Sequence, residues 1–147
     1  PRIESGLKVA GKMRRNFEVS GGGFIATGSD NEAVDKATET VRSRVGVFLS
    51  TLADLPVLET HGYGDLGRKL NAMTKSGEWD KLAAQIPDNL LELFCAIGRH
   101  DEIAKNIQQR FGKMADVITT GLNEDFPPDL IQDIQKIQGS FVGFKTD

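Results

Sequence analysis

The stretch from residue 30 to residue 53 constrains the fold more than any other. Val34, Ala37, Val41, Val45, Phe48 and Leu52 recur at helical spacing, which predicts one long amphipathic helix. Ser29 followed by Glu32 has the pattern of a capping box at its start. Pro56 lies just beyond its end. Asp35, Lys36, Glu39, Arg42 and Arg44 fall on the other faces of the helix and read as a solvated surface. Immediately upstream, "FEVSGGGFIATG" mixes aromatic, β-branched and small residues. It predicts a strand over residues 17–27, firmest at 24–27.

The remaining chain reads as short elements. Ile3, Leu7, Ala10 and Met13 give a helical stripe ending near Asn16. Helices are predicted over residues 65–75, over "SGEWDKLAAQI" with Trp79 in the core, over "HDEIAKNIQQRFG" capped by Asp101 or His100, and over "PPDLIQDIQKI". "NLLELFCAI" reads as a short helix or a strand, ended at Gly98. "ADVITTG" reads as a short apolar strand, and "GSFVGFKTD" carries no pattern. Strands separated by helices point to a parallel α/β architecture. Two strands do not make a sheet with two covered faces, so the expectation is the end of a larger fold. "ESGLKVAGKMRR" behind Pro1 reads as the tail of a helix, which fits a piece of a longer protein.

Composition removes several classes of function. The 147 residues carry a formal net charge of -3, with 39% hydrophobic and 27% charged residues, as in ordinary globular domains. The short cluster Lys12-Met13-Arg14-Arg15 is the densest basic run, so no nucleic-acid partner is expected. No apolar run approaches the roughly 18 residues of a membrane span. The single cysteine, Cys95, cannot form an internal disulfide. It reads as a buried thiol in a reducing, cytoplasmic setting. His61, His100 and Cys95 show no metal-ligand spacing, so no metal site is expected.

"HGYGDLG" meets the G-x-G-x-x-G spacing of a dinucleotide loop through Gly62, Gly64 and Gly67. It lacks a firm preceding strand, and Asp65 at the helix start would cap the free N–H groups and repel phosphate. "GFIATGSD" has two glycines at Walker spacing without the lysine. His61 and Tyr63 are different, being polar-tipped rings in a glycine-rich loop, where binding residues concentrate. They either line a pocket or satisfy each other and the backbone at a turn.

The run "PVLETHGYGDLGRKLNAMTKSGEWDKLAAQIPDNLLELFCAIGRHDEIAKNIQQRFG" resembles the C-terminal part of luciferase-like flavin and deazaflavin oxidoreductases, closest to those that use coenzyme F420. The resemblance spans residues 6–120 and departs at "GRHDEI", where the family commonly has a threonine–proline pair. It implies the C-terminal portion of a (β/α)8 TIM barrel. "FEVSGGGFIAT" would be strand seven, "ADVITT" strand eight, and residues 65–97 an inserted helical excursion. Length agrees, because a whole barrel needs about 200 residues or more. The implied activity of the parent is hydride transfer between F420, or alternatively FMN, and a small organic substrate. Most cofactor contacts would come from strands outside this chain, so the piece alone is expected to be inactive and to bind no cofactor tightly. His61 and Tyr63, with Thr27 and Thr119 at the strand ends, are the expected pocket contacts; no catalytic acid or base is assigned. The competing expectation is a non-catalytic α/β or helical module that self-associates through open strand edges and the apolar face of the long helix. A homo-oligomer is expected from this second reading, in which a dimer would complete the missing sheet.

Overall fold

The computed structural model describes residues 2–119 and 126–139. Its elements in chain order are α1 (Arg2–Val9), β1 (Ser20–Gly21), β2 (Phe24–Gly28), α2 (Asn31–Leu49), α3 (Leu55–Thr60), α4 (Gly64–Lys75), α5 (Asp88–Phe94), β3 (Cys95–Arg99), α6 (Ile103–Phe111), β4 (Val117–Ile118) and α7 (Pro128–Gly139). Mixed α/β architecture with short parallel strands is therefore what the chain adopts. The patternless residues 140–147, and Thr120 of the expected last strand, lie outside the described residues.

The predicted long helix is present, with two corrections. It ends at Leu49 rather than residue 53, and its cap is Asp30, whose carboxylate accepts the Ala33 N–H at 2.9 Å. Ser29 instead donates its hydroxyl to Asp30 at 3.1 Å. That bond and, first, the Ala33 N–H hold the Asp30 carboxyl below its ordinary value, as charge-stabilising hydrogen bonds do.

The largest departure from the sequence reading is β3. The ambiguous run is both things in succession, a helix over Asp88–Phe94 and then, with no loop, a strand over Cys95–Arg99. β3 pairs in parallel with β2, Phe24 opposite Cys95 through Gly28 opposite Arg99. A strand covered on both faces is apolar throughout, and periodicity cannot separate it from a buried helix. β4 does not join this pair. It lies parallel to β1, Ser20 opposite Val117 and Gly21 opposite Ile118. A clamp holds the β1–β4 end. Asp116, nearly buried, accepts the Val19 N–H at 2.8 Å and pairs with Arg14.

Two apolar layers enclose the β2–β3 pair. On one face Ala26 and Cys95 pack with Val41, Val45 and Leu49 of α2 and with Leu90 and Leu91 of α5. On the other, Ala96 packs with Ile103 and Ile107 of α6 and Leu130 and Ile134 of α7, and Ile25 adjoins them. The glycines confirm the sidedness. A Cβ on Gly28 would meet Ala33 at 2.5 Å, whereas one on Gly98 would meet Asn106 at 2.6 Å. In a closed (β/α)8 barrel the helices form one outer ring. Here α2 and α6 lie on opposite faces of the β2–β3 pair, α2 and α5 covering one face and α6 and α7 the other.

The edge of β3 away from β2 is closed by one side of α6. Asn106 donates to the Ile97 carbonyl at 2.8 Å, Glu102 accepts the Arg99 N–H at 3.3 Å, and Arg110 donates to the carbonyls of Glu92 and Leu93 at the end of α5. Residues 102, 106 and 110 share a helix face. They satisfy main-chain groups that an open edge strand would leave available to another chain.

Candidate functional site

Catalytic and binding groups in parallel α/β proteins gather beyond the carboxyl ends of the strands. For β2 and β3 that end holds Thr27, Gly28, Arg99 and His100. The His100 N–H donates to the Gly28 carbonyl at 3.0 Å, extending the ladder one residue past β3. The His100 ring meets Phe126 edge to face, centroids 6.4 Å apart. Arg99 is engaged with Asp101 at 3.2 Å and Glu102 at 3.5 Å.

Thr27 is the unusual residue of this end. It is 8% exposed, and its hydroxyl has no hydrogen-bond partner among the described residues. Register places it beside Gly98, on the face covered by α6. A buried hydroxyl without a partner costs about 1–3 kcal/mol, so a Val of the same shape would serve the bare fold better.

The other sequence-derived candidates lie elsewhere. His61 ends α3 and is exposed. Tyr63 begins α4 and packs partly buried on the α2 side of the core. This helical hairpin meets the last turn of α2, where Asn71 donates to the Ser50 carbonyl at 2.9 Å. Gly28 lies against the first turn of α2. A helix of 19 residues is about 28 Å long, so the hairpin and Thr27 belong to opposite ends of α2. Thr119 is exposed and donates its N–H to Gly21 at 3.2 Å, six residues upstream of Thr27 and roughly 20 Å away along an extended chain. The structure thus places Thr27 next to Gly28, whose carbonyl accepts the His100 N–H, at the end of α2 away from His61 and Tyr63 and apart from Thr119. His100 had been read as a helix cap. α6 in fact begins at Ile103 behind Glu102, which frees His100 to extend β3.

"HGYGDLG" is a helix–helix turn. The segment before it is α3, not a strand. Gly62 has φ of 80°, a conformation that favours glycine. A Cβ on Gly67 would lie 2.7 Å from Leu58, so that glycine lets α3 and α4 approach. Asp65 is not a cap as expected. It is fully exposed and pairs with Arg68 at 3.0 Å. Trp79, expected in the core, is 54% exposed, because its segment forms two 3-10 turns rather than a helix.

Cys95 is buried, and burial raises its thiol pKa to about 11. A thiol so protonated is inert at neutral pH. Among the described residues no group of His, Cys, Asp or Glu could hold a metal ion, and no helix is long and apolar enough to cross a membrane.

The parallel strands, the crossover helices and the polar groups at the strand carboxyl ends define a parallel α/β unit. The sequence model of the luciferase-like monooxygenases matches residues 1–116, and the chain belongs to that family. Uncharacterised proteins of Mycobacterium bovis and Mycobacterium tuberculosis are 36% identical to it over 110 residues, covering 75% of this chain and 32% of theirs. A protein of Archaeoglobus fulgidus named 5,10-methylenetetrahydromethanopterin reductase is 27% identical over 112 residues, 32% of its length. The chain therefore spans about a third of the length of the curated relatives it matches.

Proposed function

We propose that this chain is the C-terminal part of a luciferase-like (β/α)8 enzyme that transfers hydride between F420 and a small organic substrate, with FMN as the alternative cofactor. Family membership and the reductase relative support the oxidoreductase class. The observation that carries the site is the Thr27 hydroxyl, buried and without a partner among the described residues at the carboxyl end of β2. In a complete barrel the face now under α6 and α7 would look into the lumen, those helices would join the outer ring, and Thr27 would reach the cofactor side.

The residues present fit part of such a site. Thr27 offers one hydroxyl, and His100 and Phe126 offer an aromatic wall. Arg99 is neutralised by its two carboxylates, so the grip on phosphate falls to other parts of the barrel. The bound cofactor supplies the hydride chemistry; Thr27 orients a polar group of cofactor or substrate, and Phe126 excludes water. His61, Tyr63 and Thr119 become contacts only if the complete fold brings their elements to this end. By itself the chain binds F420 weakly.

The test uses the full-length protein. F420 and FMN are titrated into it and into Thr27→Val. Submicromolar F420 binding, weakened about tenfold in Thr27→Val by loss of one hydrogen bond, supports the reading. Binding of neither cofactor overturns it, as does submicromolar binding by the present chain.

The alternative is a self-contained α/β module that self-associates. It is favoured by the cover that helices already give to both faces of the β2–β3 pair.

A further inference from the structure

A groove of about 780 Å3 runs beside residues 21–25 at the uncovered edge of β2. In the barrel reading that edge pairs with a further strand, so the groove closes when the fold is complete. The carboxyl end of the β2–β3 pair carries a different feature. Gly28 and Gly98 both lie in strands there, and packing explains only one of them. A Cβ on Gly28 would stand 2.5 Å from the Ala33 Cβ and 2.7 Å from the main chain of Ala33 and Val34, atoms that move only if α2 moves. A Cβ on Gly98 would meet the Asn106 amide nitrogen at 2.6 Å, the tip of a flexible side chain. Glu102 Cβ, at 3.5 Å, is an ordinary contact.

The backbone does not ask for glycine at 98 either. Gly98 has no positive φ, and the register with β2 runs through it without a bulge. A glycine inside a regular strand weakens it and marks a close approach of a ligand or another backbone. The neighbour indicates what approaches. Residues opposite each other in register share a face, so bare Gly98 lies beside Thr27, whose buried hydroxyl has no partner among the described residues. One step back on the same face Ala96 lies beside Ile25. Along this face β3 offers one methyl group and then no side chain at all, a notch that leads to the Thr27 hydroxyl. In the present chain α6 covers the notch through Asn106, whose amide is held on the Ile97 carbonyl at 2.8 Å.

We infer that Gly98 is a specificity-determining position, its missing side chain admitting the flat ring of the cofactor to the Thr27 hydroxyl. The inference rests on the barrel reading, in which α6 leaves this face and takes Asn106 with it. A methyl at 98 would stand about 1.5 Å out from the main chain, between the strand and any group lying along it, and would screen Thr27. The ligand class that suits the notch is a planar heteroaromatic ring with a hydrogen-bonding atom on its rim.

F420 is titrated into the full-length protein and into its Gly98→Ala, Thr27→Val, Gly98→Ala/Thr27→Val and Gly98→Ala/Asn106→Ala variants, with urea unfolding of each in the absence of cofactor. Gly98→Ala should bind F420 about tenfold more weakly, as Thr27→Val does, because both lose the same hydrogen bond. Combining the two should therefore cost little more than either alone. Gly98→Ala/Asn106→Ala removes the one close contact of the new methyl, so it folds even if Gly98→Ala does not, and it should bind as weakly. Three results overturn the inference while a weakened Thr27→Val leaves the barrel reading standing. They are Gly98→Ala within about twofold of the parent, recovery of parental affinity in Gly98→Ala/Asn106→Ala, and additive losses in Gly98→Ala/Thr27→Val. Parental affinity in Thr27→Val, or no F420 binding by the parent, overturns the reading of the site and the inference with it.

Discussion

Arg42 was read from sequence as part of a solvated charged face, and the structure gives it a different role whose removal can be sized. Its side chain is 13% exposed. One guanidinium nitrogen donates to the Ile86 carbonyl at 2.7 Å, a second to Asp88 at 2.6 Å, and Nε to Glu39 at 2.9 Å. The two carboxylate partners are 84% and 65% exposed, so each pair contributes about 0–1 kcal/mol. The carbonyl is another matter. Ile86 is 3% exposed, and loss of its donor leaves an acceptor unsatisfied at about 1–3 kcal/mol. Arg42→Met keeps the apolar stem and deletes the guanidinium, so it should cost roughly 2–3 kcal/mol. Asp88→Asn should cost no more than about 0.5 kcal/mol. The assay is urea unfolding followed by circular dichroism at one fixed protein concentration, with Tm as a cross-check at roughly 2–4 °C per kcal/mol. An Arg42→Met protein within about 0.5 kcal/mol of the parent would refute the claim that the carbonyl bond ties α2 to the start of α5. So would an Asp88→Asn protein as unstable as Arg42→Met.

Four further outcomes follow from the structure. Gly28→Ala, whose Cβ would stand 2.7 Å from the backbone of Ala33 and Val34, should destabilise by about 2 kcal/mol or more; Gly62→Ala, in open space at φ 80°, should lose about 1 kcal/mol. Both are read in the same urea series. The Asp30 carboxyl titrates below its ordinary value, held there first by the Ala33 N–H, so the stability it adds is present above the ordinary carboxyl pKa and fades as pH falls through the lower folded pKa. Asp30→Asn should therefore flatten the acid limb of stability measured between about pH 5 and pH 2, and an unchanged limb would contradict the cap. Cys95, at a pKa of about 11, should resist a disulfide reagent at pH 8 until the chain is unfolded; prompt stoichiometric reaction would show that the α5–β3 junction is open.

Residues with a local signature were legible in the sequence. The α2 stripe and the strand at 24–27 follow from spacing and propensity, and they place the α/β class; the family followed from the resemblance over residues 6–120. The missing parts depend on contacts distant in sequence. Cys95–Arg99 stayed ambiguous between helix and strand because a strand buried on both faces carries no alternation. Phe48 matched the core period but is 46% exposed, with no further element covering it among the described residues. Ser29 and Asp30 both suit a cap, and only backbone geometry separates them. At the candidate site Thr27 was reachable by strand-end logic. His100 was not, because its importance depends on β3 ending immediately before it.

The measurement closest to the central claim is a structure of the full-length protein with F420 bound. The account places the cofactor beyond the carboxyl ends of β2 and β3, with a polar atom of cofactor or ordered substrate about 3 Å from the Thr27 hydroxyl and α6 on the same side of the sheet as α2. A cofactor seated in the groove beside residues 21–25, or a Thr27 hydroxyl still buried under α6 with no ligand near it, would contradict it.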